Sequence, residues 1–165
     1  ANDARTDSLT GLLNRRALYD MLTDDELQLG DSVVIFDLDA FKSINDTHGH
    51  IIGDEVLGTF SNVLRSHVRC EALISRVGGE EFVLVLRQKQ NSGVLAMADA
   101  IRKAFAATVL EALAGDFSTT TSAGIAFCTP GDRDFQTVFH RADAALYRAK
   151  NLGRNKVCTE LHNVA

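Results

Sequence analysis

The sequence predicts an α+β domain, a sheet covered by helices, and three observations carry that reading. Ser32-Val33-Val34-Ile35-Phe36-Asp37-Leu38-Asp39 is a nearly continuous apolar run, as expected of a strand buried on both faces. Leu73 to Val77 and Val83 to Leu86 are β-rich runs joined through Gly78-Gly79-Glu80-Glu81-Phe82, the pattern of a tight hairpin. Elsewhere apolar residues recur at helical spacing, giving the order helix, strand, helices, hairpin, helix, strand, helix, short strand.

Asp7-Ser8-Leu9-Thr10-Gly11-Leu12-Leu13-Asn14-Arg15-Arg16 reads as a turn and a helix start, with Asn14 as N-cap of a helix through Ala17, Leu18, Met21 and Leu22. The apolar strand ends in Asp37 and Asp39, two apart and therefore on one face. In helix-covered sheets ligands sit just outside strand ends, where carboxylates are poor core residues and good metal ligands; capping of the next turn is the structural alternative. A short helix from Phe41 would aim its free backbone N–H groups at that strand end. Phosphate could be held there without a Walker loop, and the chain contains no GxxxxGK[ST]. His48 and His50 have no Cys or third His at zinc spacing, so His50 is read as structural or peripheral. By local chemistry Asn45 is a turn amide, and Asp54 is the N-cap of a helix from Glu55 to Val68 with Leu57, Phe60, Leu64 and Val68 on its core face.

Glycines 78 and 79 suit a primed turn, whose central residues need φ > 0. Glu80 and Glu81 directly after them are not explained by stability, because Glu is a poor strand former and adjacent like charges repel. An ordinary exposed hairpin is the alternative. Val94, Ala98, Ile101 and Phe105 mark an amphipathic helix reaching towards Leu113 and closed by Gly115. Ser118 to Phe127 is a strand by composition, and Pro130-Gly131-Asp132 is a turn. Phe135, Phe139, Ala142 and Leu146 line a last helix that stops at Gly153, and Lys156 to Thr159 is a short final strand. Lys150 near that helix end is favoured by the helix dipole, by roughly 0.3–1 kcal/mol, whatever else it does.

With 165 residues, 45% of them apolar, the chain is one domain with a sizeable core. A net charge of -5 argues against nucleic acid as the main partner, since phosphate backbones are bound chiefly through Lys and Arg. A single nucleotide needs only one local positive cluster and is not excluded. Cys70, Cys128 and Cys158 are scattered, odd in number and form no CxxC pair, which suits reduced thiols in a cytoplasmic domain. No run approaches the roughly 20 apolar residues of a membrane span, and no signal peptide is visible. The polar lead from Ala1 to Thr6 suggests a piece of a longer protein.

Several stretches together resemble the GGDEF/GGEEF family of diguanylate cyclases. Gly78-Gly79-Glu80-Glu81-Phe82 resembles its signature, and Asp7 to Arg16 its D-x-L-T-G-L-x-N-R-R opening. Asp39 to Asp54 is similar to D-x-F-K-x-I-N-D-x-x-G-H-x-x-G-D, and Leu146 to Asn155 to the A-L-Y-x-A-K-x-x-G-R-N ending. The motifs occur in family order from Asp7 to Asn155. The resemblance implies a central mixed, largely antiparallel five-stranded sheet flanked by helices, similar to nucleotidyl cyclase and polymerase palm domains. It sets a linker remnant of an upstream module at 1–6, the catalytic domain at 7–160 and a tail at 161–165.

The implied reaction condenses two GTP into cyclic di-GMP, each 3′-hydroxyl attacking the other α-phosphate with loss of pyrophosphate. The resemblance implies Mg²⁺ or Mn²⁺, two per GTP site, with Asp37, Glu80 and the Leu38 carbonyl as ligands. Asp39 is less suited to the same ion, since strand Cα atoms two apart are roughly 6.5 Å apart. Glu81 is either a second ligand or the group that helps deprotonate the hydroxyl. Asn45 and Asp54 are implied for guanine, Lys150 and Arg154 for the triphosphate beside the Phe41 and Lys42 end of the short helix, and Gly78 and Gly79 for close approach of the nucleotide to backbone. A homodimer with the substrates across its interface is implied, held by an upstream sensor or dimerisation module, with no membrane contact by this domain. The family's inhibitory R-x-x-D falls on Arg69-Cys70-Glu71-Ala72, where Ala72 supplies no carboxylate, so weak or absent product inhibition is expected. The alternative class is a catalytically silent module that binds GTP or cyclic di-GMP; such modules usually lose the signature acid or the metal Asp, and this chain keeps both.

Overall fold

The computed structural model describes residues 2–69, 71–132 and 134–160. Cys70 and the expected tail at 161–165 lie outside the described residues; Cys128 is a buried free thiol and Cys158 a half-buried one.

A 3₁₀ turn (Asn2–Arg5) leads into β1 (Leu13–Asn14) and α1 (Arg15–Asp24), followed by β2 (Ser32–Leu38), α2 (Phe41–His48) and α3 (His50–His67). β3 (Ala72–Arg76) and β4 (Glu81–Leu86) form the hairpin, and α4 (Asn91–Ala106), β5 (Thr121–Phe127), α5 (Phe135–Asn151) and β6 (Val157–Thr159) complete the chain. The sheet runs β1-β3-β4-β2-β5-β6. Its three inner junctions are antiparallel, while β1 joins β3 and β6 joins β5 in parallel. Six strands stand where five were expected, the addition being the two-residue β1 beside Ser75 and Arg76.

Strand alternation gives the sheet two buried faces. One carries Val34, Phe36, Leu38, Phe82, Leu84 and Ile125 against α3 and α4. There the ring of Phe60 meets Phe36, Phe82 and Phe105 edge-on, with centroids 5.4, 4.9 and 5.0 Å away. The other carries Val33, Ile35, Val83 and Val85 against Leu18 and Leu22 of α1 and Val138, Ala142 and Leu146 of α5. Burying each such Leu or Phe contributes about 1.5–3 kcal/mol, so the two layers fix the sheet on both sides. Gly124 of β5 admits α5 unusually closely: a Cβ there would lie 2.2 Å from both the Ala142 carbonyl oxygen and the Leu146 nitrogen.

Asn14 caps α1 as expected, its Oδ1 accepting from the Ala17 N–H at 2.8 Å. The end of α5 also matches. The Gly153 N–H reaches the Lys150 carbonyl and the Arg154 N–H the Ala149 carbonyl, with Gly153 at φ 114°.

Several features differ from the sequence expectation, among them the strand expected from Ser118, which starts at Thr121. α3 starts at His50 rather than Glu55, because Gly49 at φ 89° turns the chain straight from α2 into α3; Asp54 therefore lies inside the helix and caps nothing. The helix expected to reach Leu113 ends at Ala106, since Leu110 and Phe117 exchange backbone hydrogen bonds of 2.7 and 2.9 Å and pull 107–117 into a loop. That loop buries Leu110 and leaves Leu113 fully exposed. Finally, neither Gly78 nor Gly79 adopts a positive φ, so the hairpin is closed by a wider loop, with the Val77 N–H on the Glu81 carbonyl at 2.9 Å, and not by a primed two-residue turn.

Candidate active site

The end of β2 gathers most of the chemistry. Asp37 lies on the α1/α5 face by alternation with Val33 and Ile35, and the sheet register sets Glu81 directly opposite it on β4. Like charges in that position destabilise a sheet. Both carboxyls are half-buried, and both hold their protons more strongly than free carboxyls do. For Asp37 burial is the main cause, opposed by Lys150 and reinforced by the charges of Glu80 and Asp39. For Glu81 it is again burial, reinforced by Asp37 and Asp143 and opposed by Arg15 and Lys150. Among the described residues one ammonium touches the pair: Lys150 Nζ, projecting from the last turn of α5, is 3.0 Å from Asp37 Oδ2. Glu80 stands just before β4, where its carbonyl accepts the Leu38 N–H at 3.1 Å, and so borders the same strand end.

Asp39 does not share this environment. It is 5% exposed and its oxygens are taken by hydrogen bonds from Thr120 Oγ1 (2.6 Å), Ser122 Oγ (2.7 Å) and the Asn155 N–H (3.1 Å). Among the described residues, no three His, Cys, Asp or Glu side chains are grouped as a metal cage.

α2 begins beside β2, with Phe41 and Lys42 in its first turn. Its cap residue Ala40 is left-handed at φ 55° and has no side-chain acceptor for the free N–H groups of that turn. Lys42 itself points outward, 3.3 Å from Asp46 in an exposed pair. One turn on, Asn45 packs against Gly53 of α3 so closely that a Cβ on residue 53 would lie 1.9 Å from its Oδ1. That oxygen is buried and has no hydrogen-bond partner among the described residues. Asp54, next to Gly53, is exposed. The first helical turns thus bring Asn45 and the Asp54 segment together by way of a helix–helix joint that the sequence did not suggest.

The loop at 77–80 has a brace that the sequence did not reveal. Arg76 donates to the Gly79 carbonyl through Nη2 at 2.8 Å, while its Nη1 lies 3.1 Å from Asp7 Oδ1. Burial of Asp7 works against its charge, but hydrogen bonds from Thr10 and the Arg76 guanidinium outweigh that and hold its carboxyl below the usual range. Neither glycine in this loop is demanded by backbone angle, and a Cβ on Gly79 would meet nothing within 4 Å. Arg154 is exposed beyond the end of α5, one turn past Lys150. Arg69 is exposed, and Ala72 pairs with Leu86 at the far end of the hairpin from Glu81, roughly 17 Å along the strand.

The chain matches the family model described as "Diguanylate cyclase, GGDEF domain" over residues 4–156. It is 40% identical over 159 residues to the diguanylate cyclase DgcM of Escherichia coli K12, covering 93% of this chain and 38% of that protein. The chain thus spans about two fifths of that relative's length. Among solved structures it is similar to the GGDEF domain of DgcB from Caulobacter crescentus in complex with c-di-GMP (TM-score 0.89, 34% identity, 95% of this chain and 96% of that one). It is likewise similar to the active GGEEF domain of a diguanylate cyclase from Vibrio cholerae (TM-score 0.82, 34% identity, 90% and 97% covered). With the signature at the strand ends that carry the carboxylate pair and the match running almost end to end, the chain belongs to the GGDEF-domain diguanylate cyclase family.

Proposed function

We propose that the domain is a diguanylate cyclase that condenses two GTP into cyclic di-GMP and releases two pyrophosphates. The observation that carries this reading is the facing pair Asp37 and Glu81, half-buried, in register and served by one lysine among the described residues. Such a pair is unfavourable in the free fold and suits a complex that brings positive charge with it.

The donor chemistry fits a hard divalent cation. Mg²⁺ is commonly held by one or two carboxylates with substrate phosphates completing the shell, which agrees with the lack of a side-chain cage. Asp37, Glu80 and the Leu38 carbonyl would hold Mg²⁺ or Mn²⁺, two ions per GTP. When bound, the metal supplies neutralisation of the charge that develops on the transferring phosphate and alignment of the attacking and leaving oxygens.

The chain's own groups do the rest. Glu81, with its raised proton affinity, accepts the proton of the attacking 3′-hydroxyl or shares in metal binding. Lys150 and Arg154 hold the triphosphate, Arg through a fork that matches phosphate oxygens and Lys as a mobile charge. The uncapped first turn of α2, at Phe41 and Lys42, adds backbone N–H donors. Asn45, with its unpartnered buried oxygen, and Asp54 take the guanine edge, whose N1–H and amine donors adenine does not offer in that arrangement. Gly78 and Gly79, needed neither for turn angle nor for packing, leave room for nucleotide against the backbone.

One domain binds one GTP, so the reaction needs two copies facing each other, and the active state is a symmetric homodimer. An upstream sensor or dimerisation module ahead of Asp7 would hold it, the catalytic domain running from residue 7 to 160. GTP as substrate implies a cytoplasmic domain, with neither nucleic acid nor membrane as its partner. No helix among the described residues is long and apolar enough to cross a membrane. Product inhibition through Arg69 is weak or absent because Ala72 provides no carboxylate; tight cyclic di-GMP binding that disappears in Arg69→Ala would contradict this.

The test is incubation with GTP and Mg²⁺ over a wide range of protein concentration, with product identified by mass spectrometry and Glu80→Ala alongside. Cyclic di-GMP that rises faster than linearly with protein and is absent in the variant is the expected result. Silence even after fusion to a dimerising coiled coil would favour a catalytically silent nucleotide-binding module instead.

A further inference from the structure

Two consecutive non-glycine residues, Arg154 and Asn155, adopt left-handed backbone angles, with φ of 63° and 50°. L-residues rarely do so, and such conformations persist only where the surroundings over-determine them. Here the surroundings are specific. The Arg154 N–H is tied back to the Ala149 carbonyl at 3.0 Å. The Asn155 N–H is shared between Asp39 Oδ2 and Ser122 Oγ, both at 3.1 Å, and the Asn155 Oδ1 accepts from Arg102 Nη1 at 2.9 Å. Of these holds, only Asp39 and Ser122 belong to the strand ends that border the site.

Asp39 is well matched to this task. Three donors converge on it, and a carboxylate presents acceptors on both oxygens and no donor. An asparagine of the same shape would turn an NH₂ group towards one of them. Because both its oxygens are engaged, Asp39 is a poor ligand for the metal assigned to Asp37.

We propose that Asp39 is a positioning residue, which with Ser122 locks the left-handed turn at Arg154 and Asn155 and thereby aims the Arg154 guanidinium at the nucleotide phosphates. This rests on Arg154 being a phosphate ligand in the reading above. The effect is on the phosphate end of the nucleotide alone, because Asn45 and Asp54 are carried by other elements.

Binding separates the possibilities without turnover. The probes are a GTP analogue with a methylene bridge between its α- and β-phosphates, titrated in Mg²⁺, and guanosine, measured by competition. Asp39→Asn is expected to weaken the analogue about tenfold, the scale of one charge-assisted hydrogen bond, and to leave guanosine within about twofold. Ser122→Ala, which removes one of the two acceptors for the Asn155 N–H and keeps the buried charge, is expected to act in the same direction by about two- to fivefold. Arg154→Ala weakens the analogue at least as much as Asp39→Asn, and the double variant binds no more weakly than Arg154→Ala alone. Equal losses for analogue and guanosine, additive losses in the double variant, or an unchanged affinity in both Asp39→Asn and Ser122→Ala would overturn the proposal while leaving the cyclase reading intact. Failure of the unaltered domain to bind the analogue would overturn the nucleotide reading, and the role of Asp39 with it.

Discussion

At the start of β2, Asp31 is 2% exposed and receives the Arg87 guanidinium at 2.8 Å, the Gln28 N–H at 2.9 Å and two donors from Gln88. At the other end of the same strand, Asp37 faces a second carboxylate and has one lysine. The strand holds these carboxylates roughly 20 Å apart, and neither figures among the main influences on the other's proton affinity. Near Asp31, Arg141 continues the pattern by bridging Asp132 at 2.7 Å and the buried Glu160. The Arg141 hydrogen bond holds Asp132 down to about 2, and that carboxylate in turn raises the Arg141 proton affinity. Hydrogen bonds from Gln28, Arg87 and Gln88 outweigh burial at Asp31 and lower it as well. One end spends its carboxylates on holding the fold together; the other keeps them short of positive charge. Asp37 and Glu81 differ from Asp31 and Asp132 in how far their charge is compensated.

Removing the arginine at the neutralised end gives the largest expected effect. Arg141→Ala leaves Asp132 and Glu160 without their shared cation and is expected to cost about 3–5 kcal/mol in denaturant unfolding, with the affinity of the folded protein for GTP unchanged. A loss below about 1 kcal/mol would erase the contrast between the two ends. The sign with pH follows from the lowered Asp132 value. Its contribution is complete above the unfolded pKa of 3.8 and disappears as pH falls towards about 2, and Arg141→Ala should lack that part of the acid dependence.

An intermediate effect should couple the core to the charged end. Gly124→Ala inserts a methyl group against the α5 backbone, at an expected cost of about 1–3 kcal/mol. By lifting α5 it should also part Lys150 from Asp37 and lower kcat at least about tenfold, as a drop in cyclic di-GMP formed at saturating GTP. Unchanged turnover would mean that the lysine adjusts independently of the helix.

The smallest effect has the opposite sign. Glu81→Gln removes one of two facing like charges and should stabilise the free domain by up to about 1 kcal/mol, near 2–4 °C in Tm, while abolishing turnover. Because the Glu81 pKa is raised, its stabilising contribution is present below the unfolded value and is lost as pH rises through the folded one. Variant and wild type should therefore converge in acid and diverge towards neutrality. A destabilised variant at pH 7 would show that Glu81 is part of the scaffold.

Much of this was legible in the sequence because it is local. The run from Ser32 to Leu38 suits a doubly covered strand, Asn14 is a good cap residue ahead of an apolar helix, and Gly153 stops the last helix. What stayed hidden depends on pairs far apart in the chain. Arg76 reads as a strand residue until Asp7 and Gly79 are seen on either side of its guanidinium. Asp39 and Asp37 look alike in the sequence, and only contacts reaching to Thr120, Ser122 and Asn155 make one a structural carboxylate. Glycine also depends on context. At 78 and 79 it signals a positive φ that the chain does not adopt, and Gly53, outside the helix expected from Glu55, lies inside α3 where it accommodates Asn45.

The single residue that joins α2 to α3 limits how this domain can vary in length. Each residue added to a helical path turns everything beyond it by about 100° and advances it about 1.5 Å. With Gly49 as the whole connection, an insertion or deletion there has no slack to absorb it and would swing Asp54 away from Asn45 or break the fit of Gly53. The loop at 107–117, with Leu113 standing in solvent, has ample slack. Length changes among relatives of this chain should therefore accumulate in that loop and avoid the helical corner.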